Sequence, residues 1–488
     1  MFIIMISPEC APVAKVGGLG DVIHGLSAQL ALNGHNVELI LPKYDCLRYD
    51  RIQGLKNVYQ GLWVPYYNQS IHCDVFWGSV DGLSCFFIEP HSAQHFFDRR
   101  AIYGQNDDIE RFAFFCRAAL EFMLRTHKHP DIIHCHDWQT GLVPVLLFEM
   151  YSHLGMRHPR VCYTLHNLGH QGVTGEQVLR EVGLHPPFFA RPDRLQDNHN
   201  RSALNLMKGG IVFSNFVTTV SPRYAQEIMN SDLGMGLQPT LRAHNQKFGG
   251  VLNGLDYNVW NPESDPHIAC RYTIGTLGDK SKNKTALRKR LWLREASKPL
   301  VAVVGRLDHQ KGVELIAQSI PYCLEHGCQY VLLGSSPSPQ ITHRFELLKR
   351  LINDHPDCHL ELGYDEELAH LIYAGADLML VPSVYEPCGL TQMIAMRYGT
   401  VPVVRNTGGL ADTVFDVDYA TTPNENRNGY VFNDYNQAGL ESALRRAIGL
   451  WFNYPDRFRE LMANAMRCDY SWNQPAKHYS NIYQHIRA

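Results

Sequence analysis

Residues 382–414, PSVYEPCGLTQMIAMRYGTVPVVRNTGGLADTV, hold groups that could do chemistry at two successive strand ends. Residues 380–383 read as the end of a buried apolar strand. Glu386 stands where a helix should begin, Pro387 suits its first turn, and Gly399 can stop it. The β-branched run 400–405 is the next strand, and Asn406-Thr407-Gly408-Gly409 turns into another helix. Helix N-termini at the carboxyl ends of neighbouring strands are where open α/β sheets bind ligands, anions above all. A carboxylate such as Glu386 sits poorly beside phosphate but accepts hydrogen bonds well from sugar hydroxyls. The chemistry suggested is a phosphate next to a polyol, as in a sugar nucleotide. The alternative is a pair of ordinary glycine-punctuated turns.

Other candidates lie at the ends of other strands. Lys15-Val16-Gly17-Gly18-Leu19-Gly20-Asp21 follows the apolar run 2–6 and opens a helix. It is neither a dinucleotide fingerprint nor a Walker loop. Its lysine reads either as a charge brought to a phosphate or as a solvated surface group. Arg306 and Lys311 follow the strand 300–305, just before a helix start near Gly312, and together make a diphosphate clamp or a salt-bridged loop. Asp137 and Trp138 end the strand 131–136, and His166-Asn167 ends the strand 161–165. His134 and His136 share a strand face, so a metal is conceivable, but no further ligands cluster nearby. Cys388 reads as a space-filling residue more readily than as a reactive thiol.

A chain of 488 residues needs two or three cores to position these groups. β–loop–α–β patterns open at residue 2 and restart at residue 300, antiparallel strands are inserted over residues 60–90, and residues 437–488 are mostly helical. The expected division is 1–248, 249–455 and a C-terminal helical segment 456–488. A net charge of −3 carries no nucleic-acid footprint. Thirteen cysteines, an odd number without paired short spacing, suggest free thiols in a reducing compartment. No apolar run is long enough to span a membrane and no targeting pattern opens the chain, so a cytoplasmic protein is expected.

Taken in order, the Lys15–Asp21 motif, His136-Asp137-Trp138-Gln139, His166-Asn167, the run from Asn253 to Asp256, Gly305-Arg306-Leu307 with Lys311-Gly312, Glu386-Pro387-Cys388-Gly389-Leu390-Thr391-Gln392 and Thr407-Gly408-Gly409-Leu410 form a specific set. The chain resembles the ADP-glucose-using glycogen and starch synthases of glycosyltransferase family 5, over essentially its whole length. It looks most like the cyanobacterial enzymes and starch synthase classes III and IV. The resemblance implies an α/β GT-B fold: two Rossmann-like domains facing a cleft, with a C-terminal helix crossing back. It implies retaining transfer of glucose from ADP-glucose to the 4-hydroxyl of an α-1,4-glucan, with no metal or other cofactor.

By matching position, the resemblance gives Arg306 and Lys311 the diphosphate and Glu386 the glucose hydroxyls. Asp137, His166 and Asn167 would contact the sugar near the reacting centre, and Asn253 lies in a further site motif. Lys15, the amides near Gly18, and Asp21 would meet the donor. Tyr364 would stack on adenine. Cys388 and Gly389 lead to Leu390 and Thr391, whose amides would meet phosphate. Two departures stand out: Ile394 occupies the place of a second glutamate found in many retaining GT-B enzymes, and Gly334-Ser335-Ser336-Pro337 lacks an acidic residue common in bacterial relatives. The competing readings are a UDP-glucose-dependent transferase, and a catalytically silent glucan-binding or scaffolding protein. Intact Lys15, Arg306, Lys311 and Glu386 count against the latter. A glucan phosphorylase and a nicotinamide dehydrogenase are disfavoured by missing motifs.

Overall fold

The structure, a computed structural model, describes residues 1–488. The chain divides into two compact units: unit 1 comprises residues 1–254 and 472–488, and unit 2 residues 255–471. The first boundary thus falls at 254/255, and the segment that rejoins unit 1 begins at Trp472 rather than at residue 456. The helix Pro455–Arg467 belongs to unit 2, where Phe458 and Leu461 enter the apolar core.

Unit 2 carries six parallel strands. Across the sheet they run Cys358–Leu362, Gln329–Ser335, Leu300–Arg306, Leu378–Val381, Val401–Arg405 and Tyr430–Phe432. Numbered along the chain within the unit, this is the order 3-2-1-4-5-6 of the doubly wound dinucleotide-binding sheet. The strands are apolar on both faces because helices cover both sides. The direction of winding reverses between Leu300–Arg306 and Leu378–Val381, the position at which doubly wound sheets bind their ligands.

Unit 1 is built on one nine-stranded sheet. Seven strands run parallel: Phe248–Gly250, Phe216–Thr219, Arg160–Leu165, Ile132–His136, Phe2–Ile6, Asn36–Pro42 and Leu83–Pro90. Residues expected as an antiparallel insertion extend this sheet rather than forming a separate one. Leu83–Pro90 lies parallel to Asn36–Pro42 and antiparallel to Gln69–Val80, which pairs in turn with Gln53–Tyr66. Reversal here falls between Phe2–Ile6 and Ile132–His136. It places the lysine–glycine loop and Asp137 at neighbouring strand ends.

The returning segment is fixed by shape. Trp472 packs its indole onto Gly25 of the helix Gly18–Leu32 so closely that any Cβ at Gly25 would collide with the ring. The helix Asn473–Arg487 follows, with Tyr479 and Tyr483 fully buried. No helix is long and apolar enough to cross a membrane. Gly25→Ala is expected to lower the urea midpoint of unit 1 by the equivalent of about 1–3 kcal/mol through overpacking. An unchanged midpoint would show that the indole yields without strain.

Candidate active site

In unit 2 the site is organised by a buried carboxylate. Glu386 is buried, and its Oε2 accepts from Lys311 Nζ at 2.6 Å and from Ser383 Oγ at 2.9 Å. Lys311 comes from the loop after the first strand, Glu386 from the loop after the fourth. The ion pair therefore joins the two loops at the reversal. Asp308 shapes the Lys311 side of it: its carboxylate accepts from the Lys311 amide at 3.0 Å and lies 3.6 Å from the Arg306 guanidinium. Arg306 itself is 59% exposed. The two loops are also stitched by backbone, with Val384 N donating to Gln310 O at 2.8 Å.

The helix expected to start at Glu386 and Pro387 starts instead at Thr391 and runs to Arg397. Gln392 explains the delay. Its Nε2 donates to the carbonyls of Cys388 at 3.2 Å and Gly389 at 2.8 Å, holding the loop in a non-helical path that turns through Gly389 at φ 74°. Leu390 is the residue before the helix and Thr391 its first. Cys388 is buried in this loop, and burial of its neighbourhood fits the space-filling reading. The next loop closes on it: Gly409 N donates to Glu386 O at 3.0 Å, and Gly408, at φ 45°, comes so near the same carbonyl that a side chain would not fit. Tyr364 lies just beyond the third strand and is 81% exposed.

In unit 1 the lysine–glycine loop is organised by a residue that sequence reasoning missed. Glu9 is buried, and its Oε2 accepts from the amides of Val16 at 2.7 Å and Gly17 at 3.1 Å. Its other oxygen accepts from Tyr103 at 2.7 Å. Two of the amides expected to face phosphate are thus occupied by a carboxylate, and Gly18 begins the helix beyond them. Burial raises the Glu9 pKa above the ordinary range, against these hydrogen bonds. Lys15 pairs with Asp21 at 2.8 Å, and both side chains remain accessible. The available signal for Glu9 was an acid in an apolar stretch directly after a first strand.

Asp137 sits at φ 54°, a left-handed backbone unusual for a non-glycine residue. Its Oδ1 accepts from His166 N at 2.7 Å and Asn167 N at 3.4 Å, which ties the ends of two adjacent strands together. Desolvation pushes its carboxyl up to about 7, with those amides opposing. Beneath it runs a chain of imidazoles. His166 Nε2 meets His136 Nδ1 at 3.1 Å, and the His136 ring lies 4.2 Å from that of His134. Both His134 nitrogens are committed, to Thr164 Oγ1 at 2.6 Å and Tyr483 OH at 2.7 Å. The pairing of His134 and His136 as ligands is therefore not what this geometry serves. Burial pushes His134 and His166 down to about 3 and lowers His136 well below its usual value, so all three are neutral hydrogen-bonding groups. Two buried atoms near the strand ends, His136 Nε2 and Asn253 Oδ1, have no hydrogen-bond partner. Unsatisfied buried polar atoms are uncommon, and sites that bind polar ligands are one place they persist.

The two sets offer different chemistry. Unit 2 presents two cations and one acid; unit 1 presents neutral imidazoles, amides and a carboxyl that titrates near neutrality. The Asp137 pKa yields a stability prediction. A carboxyl near 7 in the folded protein and 3.8 unfolded holds its proton longer when folded, so its contribution to stability falls as pH rises from about 4 to 7. Asp137→Asn lacks that loss. Relative to the parent, the variant should gain stability across this range, by at most about 4 kcal/mol at 1.36 kcal/mol per pKa unit. Paired urea titrations at several pH values check it, and a pH-independent difference would contradict it.

The family described as starch synthase catalytic domain matches residues 2–243, and that described as glycosyl transferases group 1 matches residues 286–463. Glycogen synthase 1 of Nitrosococcus oceani is 65% identical, with 100% of each chain covered. Glycogen synthase 1 of a Synechococcus species is 59% identical, again over 100% of each. Among solved structures, the catalytic domain of starch synthase IV from Arabidopsis thaliana, bound to ADP and acarbose, is 45% identical with a TM-score of 0.97, covering 100% of this chain and 99% of that one. A sucrose-phosphate synthase from Thermosynechococcus elongatus, 20% identical with a TM-score of 0.62 and covering 99% and 98%, shares the fold.

Proposed function

The chain belongs to the glycogen and starch synthase family of glycosyltransferases, and from that premise we propose that it transfers glucose from ADP-glucose to the non-reducing 4-hydroxyl of an α-1,4-glucan with retention. The observation that carries the reading is the Lys311–Glu386 pair beside Arg306 at the reversal of the unit 2 sheet. A sugar nucleotide needs a cationic place for its diphosphate and an acceptor for its sugar hydroxyls, side by side. The starch synthase relative was solved with ADP and acarbose bound, a nucleotide and a glucan-like inhibitor, which supports both substrates.

In this proposal Arg306 and Lys311 stabilise the diphosphate as the bond from the anomeric carbon to the phosphate oxygen breaks. Donor phosphate draws on the Lys311 ammonium that Glu386 holds in the ligand-free protein. Glu386 then accepts from glucose hydroxyls. The glucan 4-oxygen bonds to the anomeric carbon from the face the phosphate leaves, and its proton passes to the departing phosphate oxygen. No carboxylate nucleophile of the glycosidase kind is needed. Two fixed side-chain charges supply what a metal ion would supply, so the transfer is proposed to run without a metal or other cofactor. Asp137, His166 and Asn167 are assigned to the transferred sugar, Asn253 to a further substrate-binding position, Lys15, Gly18 and Asp21 to the donor, Tyr364 to the adenine, and the amides of Leu390 and Thr391, after Cys388 and Gly389, to the phosphates. All thirteen cysteines are free and most are buried, which supports a reducing compartment, the cytoplasm.

The test is incorporation of labelled glucose into glycogen and short maltooligosaccharides, from ADP-glucose and UDP-glucose side by side. Incorporation is expected from ADP-glucose, abolished by Glu386→Ala and lowered on the order of 10²–10³ by Arg306→Ala. Preference for UDP-glucose would overturn the donor. Glucan binding without incorporation from either would replace the enzyme by a scaffold.

A further inference from the structure

Away from these residues, the outer part of the unit 1 sheet gathers His72, Asp74 and His91. His72 and Asp74 are two apart on Gln69–Val80 and so project from one face. His91 follows Leu83–Pro90 directly, and its amide donates to His72 O at 2.8 Å. The register Cys73↔Pro90 and Asp74↔Glu89 fixes the three backbones relative to one another. One potential ligand atom from each residue lies within 4.8 Å of the other two. His91 Nε2 already sits 3.1 Å from Asp74 Oδ2, and the two imidazoles stack with centroids 5.1 Å apart. Asp74 Oδ1 is buried and has no hydrogen-bond partner.

We propose that His72, Asp74 and His91 bind a first-row divalent cation of the zinc class, separate from the glucose-transfer chemistry. Two imidazoles and one carboxylate suit Zn²⁺, Co²⁺, Ni²⁺ or Cu²⁺ and do not suit Mg²⁺ or Ca²⁺, which take oxygen ligands. A tetrahedral ion with bonds of about 2.0–2.1 Å holds its ligand atoms roughly 3.3 Å apart. The His91–Asp74 pair already has that spacing, and rotation of the half-exposed His91 and of His72 brings in the third atom. The cation takes the place of the His91–Asp74 hydrogen bond, the Nε2 proton of His91 passing to water or to its other ring nitrogen, and its positive charge meets the carboxylate oxygen left without a partner. Three protein ligands leave a fourth position to water. Because the ligands come from adjacent strands, the ion acts as a clip between Gln69–Val80 and the end of Leu83–Pro90. Trp63 packs on the His72 ring at 5.1 Å and reports on occupancy.

The experiment uses the full chain, stripped with a chelator, and Co²⁺ as the probe. One equivalent of Co²⁺ should give the visible ligand-field spectrum of a low-symmetry nitrogen–oxygen site, displaced by Zn²⁺, and excess Zn²⁺ should raise the unfolding temperature by a few degrees. His72→Ala, His91→Gln and Asp74→Asn should each weaken Co²⁺ binding at least ten-fold and remove the thermal shift. The part of the tryptophan emission that Trp63→Phe removes should be quenched by Cu²⁺ in the parent and not in His91→Gln. Asp74→Asn is isosteric and His91 is exposed, so these two variants decide the matter should His72→Ala fail to fold. Absence of stoichiometric binding at micromolar Co²⁺ overturns the proposal. So does binding retained in the variants, or an intense thiolate charge-transfer band, which would place the ion on cysteine.

Discussion

The candidate site of unit 2 is arranged around one ion pair, Lys311–Glu386. A carboxylate as buried as Glu386 is tolerable only when paired and hydrogen-bonded, and Lys311 and Ser383 provide both. The pair joins loops from strands that are neighbours in the sheet but about seventy residues apart in the chain. Much of the surrounding geometry serves it. Asp308 caps the short turn that aims Lys311, Gln392 delays the helix so that Glu386 remains in a loop, and Gly408 lets the next loop close over the Glu386 carbonyl. A buried pair of this kind is weak evidence for stability, since replacement by apolar groups often does no harm. Under the proposed function the pair keeps a cation and an acid in contact until a ligand that needs both separates their roles.

Unit 1 uses the opposite arrangement. Its strand ends carry neutral imidazoles packed in series, from His166 through His136 to His134, and the series ends on Tyr483 of the returning helix. The segment that begins with Trp472 against Gly25 thus supports the floor of the site through its buried tyrosines. Desolvation keeps these histidines neutral, so they orient and accept rather than supply charge. Glu9 has a comparable part in the glycine loop, where it fixes Val16 and Gly17 before any ligand arrives.

Sequence made the sheets legible because strand ends announce themselves: apolar runs stopping at Asp137, His166, Arg306 and Ser383 place chemistry at the carboxyl edge without coordinates. The same reading gave both members of the Lys311–Glu386 pair but not their contact, since pairing across a reversal is set by strand order rather than by spacing. The helix start at Glu386 was misplaced because Pro387 is a valid first-turn signal, and only the Gln392 side chain, folded back onto the loop, outweighs it. Glu9 was missed for a related reason: an acid just past an apolar strand is a weak signal until two amides are seen to close on it. Lys280 shows the limit most plainly. It lies in an apparently surface-like basic run, yet its ammonium is buried against the carbonyls of Tyr373, Ala374 and Tyr398 and the Thr400 hydroxyl, and desolvation pushes it down to about 7.

In the proposed reaction Lys311 and Glu386 work as one coupled unit. A double-mutant cycle on kcat/KM for ADP-glucose, with Lys311→Met, Glu386→Gln and the double variant, tests it most directly. The double variant should lose at least about ten-fold less than the product of the two single losses, a coupling of about 1.4 kcal/mol or more. Effects that multiply to within about 0.5 kcal/mol, the tolerance for independent sites, would contradict it.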